Sequence, residues 1–364
     1  MTKTQDRLTR LRSRMEAEEI DLVALGPGAH MDWLMGFHPH PDERPCLACI
    51  TPEAAAFLMP ALNAEGSRPH TDLPFHEWSD AEGPDGAFAT LLDALGAGAA
   101  RRIVLDETMR ADFAALVQEA LPGAERQFTA STIGSLRMRK DEDEYRVLKE
   151  NALFGDQAME AGWAAMAAGL SELEVAKVIR ERFKALGAEP LFTIIGAGGN
   201  GAFPHHHTGP TRLAQGDAVV MDIGGGMNGY SSDMTRMAVL GTPPEGYEAV
   251  HAIVEAAVQA ALKAARPGAK AHEVDDAARG VIAAAGYGDY FVHRTGHGMG
   301  VEVHEQPYIT SVSQTVLEPG MVFSIEPGIY LPGRTGVRIE DLALVTESGV
   351  EILNAYPHDP VRLD

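Results

Sequence analysis

Four acidic residues in the second half of the chain repeat one spacing pattern with glycine. In each repeat, one glycine stands six residues before an acid across an apolar run, and another stands four residues before a second acid. The acids are Asp222, Asp233, Glu326 and Glu340, and the glycines are Gly216, Gly229, Gly320 and Gly336. Two similar hairpins with one acid on each strand would bring the four carboxylates together. Coincidental spacing among 38 glycines is the alternative.

The chemistry of such a cluster is metal binding. Four converging carboxylates repel one another and raise one another's pKa, so a fold that gathers them needs cations. Two divalent ions would neutralise the four charges. His297, in TGHGMG (295–300), offers a fifth ligand between glycines that allow close backbone approach. Oxygen donors with one nitrogen form a hard ligand set, which favours manganese, cobalt or iron-type ions over a thiolate-rich zinc site.

Four segments carry a resemblance to a known family. They are DIGGGMNGYSSDMTR (222–236), HRTGHGMGVEVHEQP (293–307), SIEPGIY (324–330) and GVRIED (336–341). Together they resemble the pita-bread metallopeptidases, in particular the branch of Xaa-Pro dipeptidases (prolidases) and aminopeptidases P. The resemblance implies an α+β architecture, in which a smaller creatinase-like α/β domain over residues 1–135 precedes a pita-bread catalytic domain over residues 136–364.

The resemblance also implies how the metal ligands are shared. Asp222 would bind one ion, His297 and Glu326 the other, and Asp233 and Glu340 would bridge both. Manganese is the expected ion, with cobalt or zinc as alternatives. A metal-bridging hydroxide would attack the Xaa-Pro carbonyl, and Glu326 would accept its proton and pass it on.

Five further residues match family positions around the substrate: His205, Tyr230, His293, His304 and Arg338. His304 would contact the substrate carbonyl and the tetrahedral intermediate, and His205 would face the substrate from a loop. One of the two histidines that follow His205 is the alternative for that role. Arg338 and Tyr230 would support the bridging acids and the substrate, with a salt bridge as the alternative for Arg338. His293 matches a substrate-site histidine, with a structural role as its alternative.

The length of the substrate is a separate question. A dipeptidase must recognise the free carboxylate after proline, and in some prolidases an arginine four residues after the substrate histidine does so; here that position is Tyr308. The segment GFHPHPDER (36–44) resembles a loop that bacterial prolidases extend across a homodimer, so His38, His40 and Arg44 would bind substrate, unless this is an ordinary polar loop. We expect an Xaa-Pro dipeptidase, with an Xaa-Pro aminopeptidase or a non-catalytic binding protein as alternatives.

The elements that must position these residues change type along the chain. The first domain alternates helical and strand patterns, and its strands are predicted at 22–25, 47–50, 55–59 and 103–105. A long helix is predicted to start near Arg137, and Ser171 with Glu174 predicts a capping box for another helix. Glycine-rich strands follow residue 190, with helices predicted at 245–265 and 271–285.

Composition limits the partners and the location. The chain of 364 residues has 30 Lys plus Arg and 52 Asp plus Glu, a net charge of −22 that disfavours nucleic acid and anionic membranes. No stretch approaches the roughly 20 apolar residues of a membrane span. Cys46 and Cys49, the two cysteines, are predicted to be free packing residues. Together with the resemblance, these features predict a cytoplasmic enzyme that acts on small proline-containing peptides.

Overall fold

The computed structural model describes residues 2–364, which form two compact units that divide after Arg137. The first unit is built on a six-stranded mixed sheet. Its helices are α1 (Lys3–Ala17), α2 (Ala29–Met35), α3 (Ala61–Ser67), α4 (Asp85–Ala94), α5 (Ala111–Ala120) and α6 (Ile133–Arg137). Its strands are β1 (Leu22–Leu25), β2 (Leu47–Ile50), β3 (Ala55–Pro60), β4 (Phe75–Trp78), β5 (Arg102–Leu105) and β6 (Glu125–Phe128). The strand order is β4-β3-β2-β1-β5-β6.

The apolar runs predicted as strands form the centre of this sheet, which confirms those predictions. Every residue of β1, β2 and β3 is buried, as expected for continuous apolar runs covered on both faces. Cys46 and Cys49 are free and buried, and burial raises the pKa of the Cys46 thiol to about 12. Their predicted packing role is therefore confirmed.

The second unit contains four long helices and three groups of strands. The helices are α7 (Glu142–Ala165), α8 (Glu172–Ala185), α9 (Tyr247–Ala264) and α10 (Ala271–Ala284). One sheet has the order β18-β10-β8-β7, with β9 paired to β8; another has the order β12-β11-β13-β16-β17; and β14 pairs with β15. These strands are β7 (Glu189–Ala197), β8 (Ala218–Met227), β9 (Tyr230–Ser231), β10 (Met234–Leu240), β11 (Gly296–Gly298), β12 (Glu305–Ile309), β13 (Val322–Ile325), β14 (Gly328–Leu331), β15 (Thr335–Arg338), β16 (Asp341–Val345), β17 (Val350–Ile352) and β18 (Val361–Leu363).

Two large apolar cores and a smaller one hold the strands of this unit in place. Residues of α7 and α8, including Ile179 and Phe183, pack against Met221 of β8. Residues of α9 and α10 pack in a second core with residues of β10, β13 and β15. Glycine is required at Gly225, because a Cβ there would lie 2.5 Å from the Phe183 ring. Tight packing of the helices therefore fixes β8, β10 and β13, the strands on or beside which acids of the glycine pattern lie.

The predicted long helix does not begin at Arg137. That residue ends α6, and α7 begins after Asp141, whose side chain accepts a hydrogen bond from Glu144 N at 2.9 Å. The Glu144 carboxylate in turn accepts from Asp141 N at 2.8 Å, which completes a capping box. Between the two helices Lys140 N donates to Gly320 O at 2.8 Å. The helix start was misplaced because this pairing and the cap outweigh the helical pattern of residues 137–141.

The capping box predicted for α8 is confirmed. Ser171 Oγ accepts from Glu174 N at 3.3 Å, and Glu174 Oε2 accepts from Ser171 N at 2.8 Å. The first turn of α8, which includes the fully buried Glu172, is thereby anchored. Within residues 2–364, no helix combines the length and the apolar character needed to cross a membrane.

Candidate metal centre

The four acids of the glycine pattern lie on or directly beside paired strands. Asp222 lies in β8 and Asp233 directly precedes β10, its antiparallel neighbour. Glu326 directly follows β13 and Glu340 directly precedes β16, its antiparallel neighbour. The expectation of one acid on each strand is therefore right only for Asp222. The other three lie one residue beyond the strand ends.

The two sheets are joined beside the acids. Thr235 and Glu340 form an isolated antiparallel bridge, in which Glu340 N donates to Thr235 O at 3.1 Å. The Thr235 hydroxyl also donates to Glu340 Oε2 at 2.7 Å. This bridge brings the acids of both sheets to one place.

His297 presents a lone pair to this cluster. Its Nδ1 donates to Gly298 O at 3.2 Å, and its Nε2 lies 3.3 Å from Glu326 Oε1 and 3.7 Å from Asp233 Oδ2. Burial, with a further contribution from neighbouring His304, lowers the pKa of His297 to about 3. The ring is therefore neutral, and its unprotonated Nε2 faces carboxylate oxygens that also carry lone pairs.

Several carboxylate oxygens in the cluster have no donor. Asp222 Oδ1, Asp233 Oδ1 and Glu340 Oε1 are buried and have no hydrogen-bond partner among the described residues. Burial and mutual repulsion raise the pKa of both Asp233 and Glu340, and burial raises the pKa of Glu326 to about 7. Unpartnered buried acceptors of this kind destabilise a fold unless a cation balances them.

The donor set fits divalent cations. The ligand atoms of Asp222, Asp233 and Glu340 all lie within 4.8 Å of one another, as do those of His297, Glu326 and Glu340. Glu340 belongs to both groups, so two ions bound there would share it. His304 forms a third such group with Asp233 and His297. The chemistry of these donors, with mostly carboxylate oxygens and no thiolate, suits a hard or borderline divalent ion.

Arg338 supplies the positive charge of the protein itself. Its Nη2 donates to Asp222 Oδ2 at 2.5 Å, and its Nε donates to the Thr235 hydroxyl at 3.0 Å. Its Nη1 donates to Pro204 O at 3.2 Å and to the Tyr330 hydroxyl at 2.9 Å. Arg338 thus forms a buried ion pair with Asp222 and also ties that acid to the segment that precedes His205.

His293 lies at the end of the same network. Its Nδ1 donates to Arg294 O at 2.7 Å, so its Nε2, 2.7 Å from the Tyr330 hydroxyl, is the acceptor. Burial, and secondarily the Arg338 charge, lowers the pKa of His293 to about 3, which keeps the ring neutral. Tyr330 therefore donates to His293 and accepts from Arg338.

One cavity of about 620 Å³ contains most of the predicted site. The predicted residues that line it are His205, Asp222, Asp233, His293, His297, His304, Glu326, Arg338 and Glu340. Its apolar wall is formed by Leu191, Phe192, Ile194 and Val303. His304 is exposed, and the centroid of its ring lies 4.1 Å from that of His297. The cavity thus combines a cluster of acids, several imidazoles and an apolar surface.

Tyr230 is not brought into this cavity. Its hydroxyl donates to Glu144 Oε1 at 2.7 Å, and its ring packs against the cluster that contains Leu148 and Met299. The residue lies close to Asp233 along the chain, but the phenol points to α7. The structure therefore gives Tyr230 a packing environment rather than a place in the cavity wall.

The segment 36–44 belongs to the first unit. His38 and His40 line a separate cavity of about 490 Å³ there, and His38 Nε2 lies 3.3 Å from Asp32 Oδ2. Arg44 Nε donates to Asp80 Oδ1 at 2.9 Å, and Arg44 Nη2 donates to Asp80 Oδ2 at 3.0 Å. Its Nη1 also lies 3.0 Å from Glu43 Oε1. The guanidinium of Arg44 is therefore already engaged by carboxylates of its own unit.

Several residues of the site were missed by sequence reasoning. Arg294 lines the cavity, and its guanidinium carbon lies 4.6 Å from the centroid of the Tyr308 ring. Tyr330 and Thr235 contact Arg338 as described above. Arg294, Tyr330 and Thr235 all lie inside the motifs that carry the family resemblance. The sequence could therefore have identified them as residues near the site, but it could not have predicted their contacts.

This combination of two sheets, a shared acid cluster and a flanking cavity is typical of a metal-dependent hydrolase site. Sequence comparison agrees. Residues 146–347 match metallopeptidase family M24, and residues 7–139 match the creatinase/prolidase N-terminal domain. The chain belongs to metallopeptidase family M24, which confirms the resemblance, the fold class and the expectation of an enzyme.

Relatives extend over nearly the whole chain. The chain is 38% identical to a probable dipeptidase PepE of Mycobacterium tuberculosis over 345 residues, covering 93% of this chain and 90% of that protein. It is 33% identical to an Xaa-Pro dipeptidase of Pyrococcus horikoshii, covering 92% and 93%. The crystal structure of a prolidase from Thermococcus sibiricus superposes with a TM-score of 0.93 at 32% identity, covering 100% of both chains.

Proposed function

We propose that this protein is an Xaa-Pro dipeptidase that hydrolyses the bond before proline in small peptides. One observation carries the proposal: buried carboxylate oxygens without donors and the lone pair of His297 converge in one cavity of about 620 Å³. The dipeptidase and prolidase names of its relatives support the choice of substrate.

The metal requirement follows from the donor set. We propose two manganese ions held by Asp222, Asp233, His297, Glu326 and Glu340, with cobalt or zinc as alternatives. When bound, divalent ions polarise the scissile carbonyl and make a water nucleophilic at neutral pH. Glu340 would be shared between the ions because its ligand atoms belong to both groups of the cluster.

Three residues of the chain would act on the substrate. Ser324 Oγ donates to Glu326 Oε1 at 3.1 Å and so orients Glu326, which would accept the water proton and pass it to the leaving proline nitrogen. His304 and His205 line the same cavity and would donate hydrogen bonds to the substrate carbonyl. The Xaa-Pro bond has no amide hydrogen, so contacts to the carbonyl and the ring must replace the usual grip on an N–H.

Arg294 is our candidate for recognition of the dipeptide carboxylate. It lines the cavity, rests on the Tyr308 ring, and its side chain has no ion pair among the described residues. A guanidinium is suited to a carboxylate by its planar fork. Arg44 is a weaker candidate because its guanidinium already forms two hydrogen bonds to the Asp80 carboxylate. The absence of an arginine at Tyr308 keeps an Xaa-Pro aminopeptidase as the second candidate.

We further propose a homodimer in the cytoplasm. The likeness of residues 36–44 to a loop that bacterial prolidases extend across a dimer supports the assembly. Two free, buried cysteines are consistent with a reducing compartment.

A matched pair of substrates tests the function. Manganese-loaded protein is incubated with Leu-Pro or with Leu-Pro-Gly, and released leucine is quantified; Leu-Gly is the control for proline specificity. We expect cleavage of Leu-Pro alone. The Asp233→Ala variant, which lacks a proposed bridging ligand, is the control for a contaminating peptidase.

Other outcomes separate the alternatives. Efficient cleavage of Leu-Pro-Gly would make the protein an aminopeptidase and remove the role proposed for Arg294. Cleavage of Leu-Gly at the same rate would remove the proline specificity. No cleavage of any peptide by protein with verified metal content would overturn the proposed activity.

A further inference from the structure

A buried carboxylate outside the metal cluster organises the segment that carries His205. Glu172, in the first turn of α8, has a fully buried side chain. Residues 198–209 follow β7, and Gly209 O accepts a hydrogen bond from Leu173 N in the first turn of α8. None of the functional roles described above uses Glu172.

The Glu172 carboxylate accepts four hydrogen bonds from this segment and from the end of β7. Oε1 accepts from Ala197 N at 3.0 Å and from Asn200 Nδ2 at 2.9 Å. Oε2 accepts from Gly209 N at 2.9 Å and lies 2.8 Å from His206 Nε2. An ionised carboxylate only accepts, so His206 Nε2 carries the proton of this bond. All four acceptor positions of the carboxylate are therefore used.

These four donors surround His205 in the sequence. Two precede it, and two follow it, one of them its immediate neighbour His206. On the other side of the segment, Arg338 Nη1 donates to Pro204 O, adjacent to His205. The backbone of His205 is thus held between Glu172 and Arg338, while its exposed imidazole lines the cavity.

We propose that Glu172 is a positioning residue for His205: its carboxylate fixes residues 197–209 so that the His205 imidazole faces the substrate. This inference rests on the proposed peptidase function. Burying a charged carboxylate costs desolvation free energy. We infer that the cost is tolerated here because the geometry of residues 197–209 has to be narrowly defined. A misplacement of about 1 Å near the reacting groups lowers rates by up to about a hundredfold.

The Glu172→Gln variant disturbs this arrangement without changing the size of the side chain. The amide has one oxygen, so its NH₂ group faces either Ala197 N or Gly209 N, and at least that backbone N–H loses its acceptor. Glu174→Gln is the matched control, because Glu174 lies in the same helical turn, caps α8 through Ser171 and makes no hydrogen bond to the His205 segment. Both variants are combined with His205→Ala.

The double-mutant cycle distinguishes positioning from general stability. We expect Glu172→Gln to lower kcat/KM for Leu-Pro by about tenfold to a hundredfold in the wild-type background, and by less than about twofold when His205 is already alanine. Glu174→Gln should change kcat/KM by less than about twofold. An equal loss from Glu172→Gln in both backgrounds, or an equal loss from Glu174→Gln, would overturn the inference.

A second readout does not depend on activity. In protein with ¹³C-labelled histidine, the His205 ring signal is identified by its disappearance in His205→Ala. We expect Glu172→Gln to shift or split this signal, and Glu174→Gln to leave it in place. An unchanged His205 signal in Glu172→Gln would contradict the inference even if the enzyme cleaves peptides.

Two safeguards keep the test decisive. If Glu172→Gln does not fold, Asn200→Ala takes its place, because it removes one hydrogen-bond donor to the Glu172 carboxylate. Asn200→Ala is then measured in the same double-mutant cycle and by the same histidine spectrum. The expected results and the results that would overturn the inference are those given for Glu172→Gln. If the wild-type protein cleaves no peptide, the proposed function fails, and the spectrum alone decides whether Glu172 positions His205.

Discussion

The hydroxyl of Thr235 donates to Glu340 Oε2 at 2.7 Å and accepts from Arg338 Nε at 3.0 Å. These two hydrogen bonds fix the orientation of the Thr235 hydroxyl. The hydroxyl in turn orients Glu340, which belongs to both ligand groups of the cluster. The other oxygen of that acid, Oε1, has no donor among the described residues. The hydroxyl thus selects which oxygen of Glu340 is left for a cation.

Replacing Thr235 with valine keeps the shape of the side chain and removes the hydroxyl. We expect Thr235→Val to weaken manganese affinity by about 10- to 100-fold, because Glu340 loses its orienting donor. Titration calorimetry of chelated and dialysed protein measures the affinity. Thr235→Ser, which retains the hydroxyl, is the control and should bind manganese within about threefold of wild type. Equal affinity in wild type and Thr235→Val would show that the hydroxyl does not orient the ligand.

We expect the effect of Asp233→Asn on the melting temperature to depend on whether metal is bound. Burial and the neighbouring acids raise the pKa of Asp233, so its negative charge destabilises the metal-free fold. In excess EDTA we expect the variant to melt at the same temperature as wild type or a few degrees higher. In saturating manganese we expect it to melt lower, because a ligand is lost.

Calorimetric melting of both proteins under both conditions provides the measurement. The exposed Asp289, changed to Asn, controls for the loss of one surface charge and should show no change of sign. Verified removal of metal should also lower the melting temperature of the wild-type protein. A variant that is less stable than wild type by the same amount under both conditions would contradict the repulsion described for the cluster.

The proposed metal ligands could be selected from the sequence because few residue types bind hard cations and their spacing matched a family motif. The core strands could be predicted because buried strands produce continuous apolar runs. Contacts between distant segments were not visible in the same way. Arg338 and Asp222 are 116 positions apart, and Glu172 meets its partners 25 to 37 positions later in the chain. The direction of a side chain, as for Tyr230, likewise depends on packing that a spacing pattern does not contain.

His304 lies in a position that tests the difference between a ligand and a substrate contact. Its ligand atom lies within 4.8 Å of those of Asp233 and His297, yet the residue is exposed. We expect His304→Ala to retain the metal content of wild type while kcat falls by about 10²- to 10⁴-fold, as expected for a group that acts only on the reacting carbonyl. Mass spectrometry of bound metal and Leu-Pro hydrolysis measure the two effects. His297→Ala is the control that should lose metal, and loss of an ion from His304→Ala would identify His304 as a ligand.

His358 predicts a pH dependence of stability that is separate from the metal site. Its Nε2 lies 2.6 Å from Asp341 Oδ2 and its Nδ1 lies 2.7 Å from Glu255 Oε2. Although burial alone would lower the pKa of His358, the hydrogen bonds to both carboxylates raise it to about 9, from the 6.5 of a free histidine. A raised pKa in the folded state means that the stabilisation is fully present below about pH 6.5 and is lost as the pH rises through about 9.

The comparison with His358→Gln isolates this contribution. We expect the free energy of unfolding of wild type to exceed that of the variant at pH 6, and the difference to shrink by on the order of 3 kcal/mol between pH 6 and pH 9. Urea unfolding in EDTA at several pH values measures it without the pH dependence of metal binding. His207→Gln, at an exposed histidine, is the control and should track wild type at every pH. A constant difference between wild type and His358→Gln across this range would mean that His358 is not held as an imidazolium by Asp341 and Glu255.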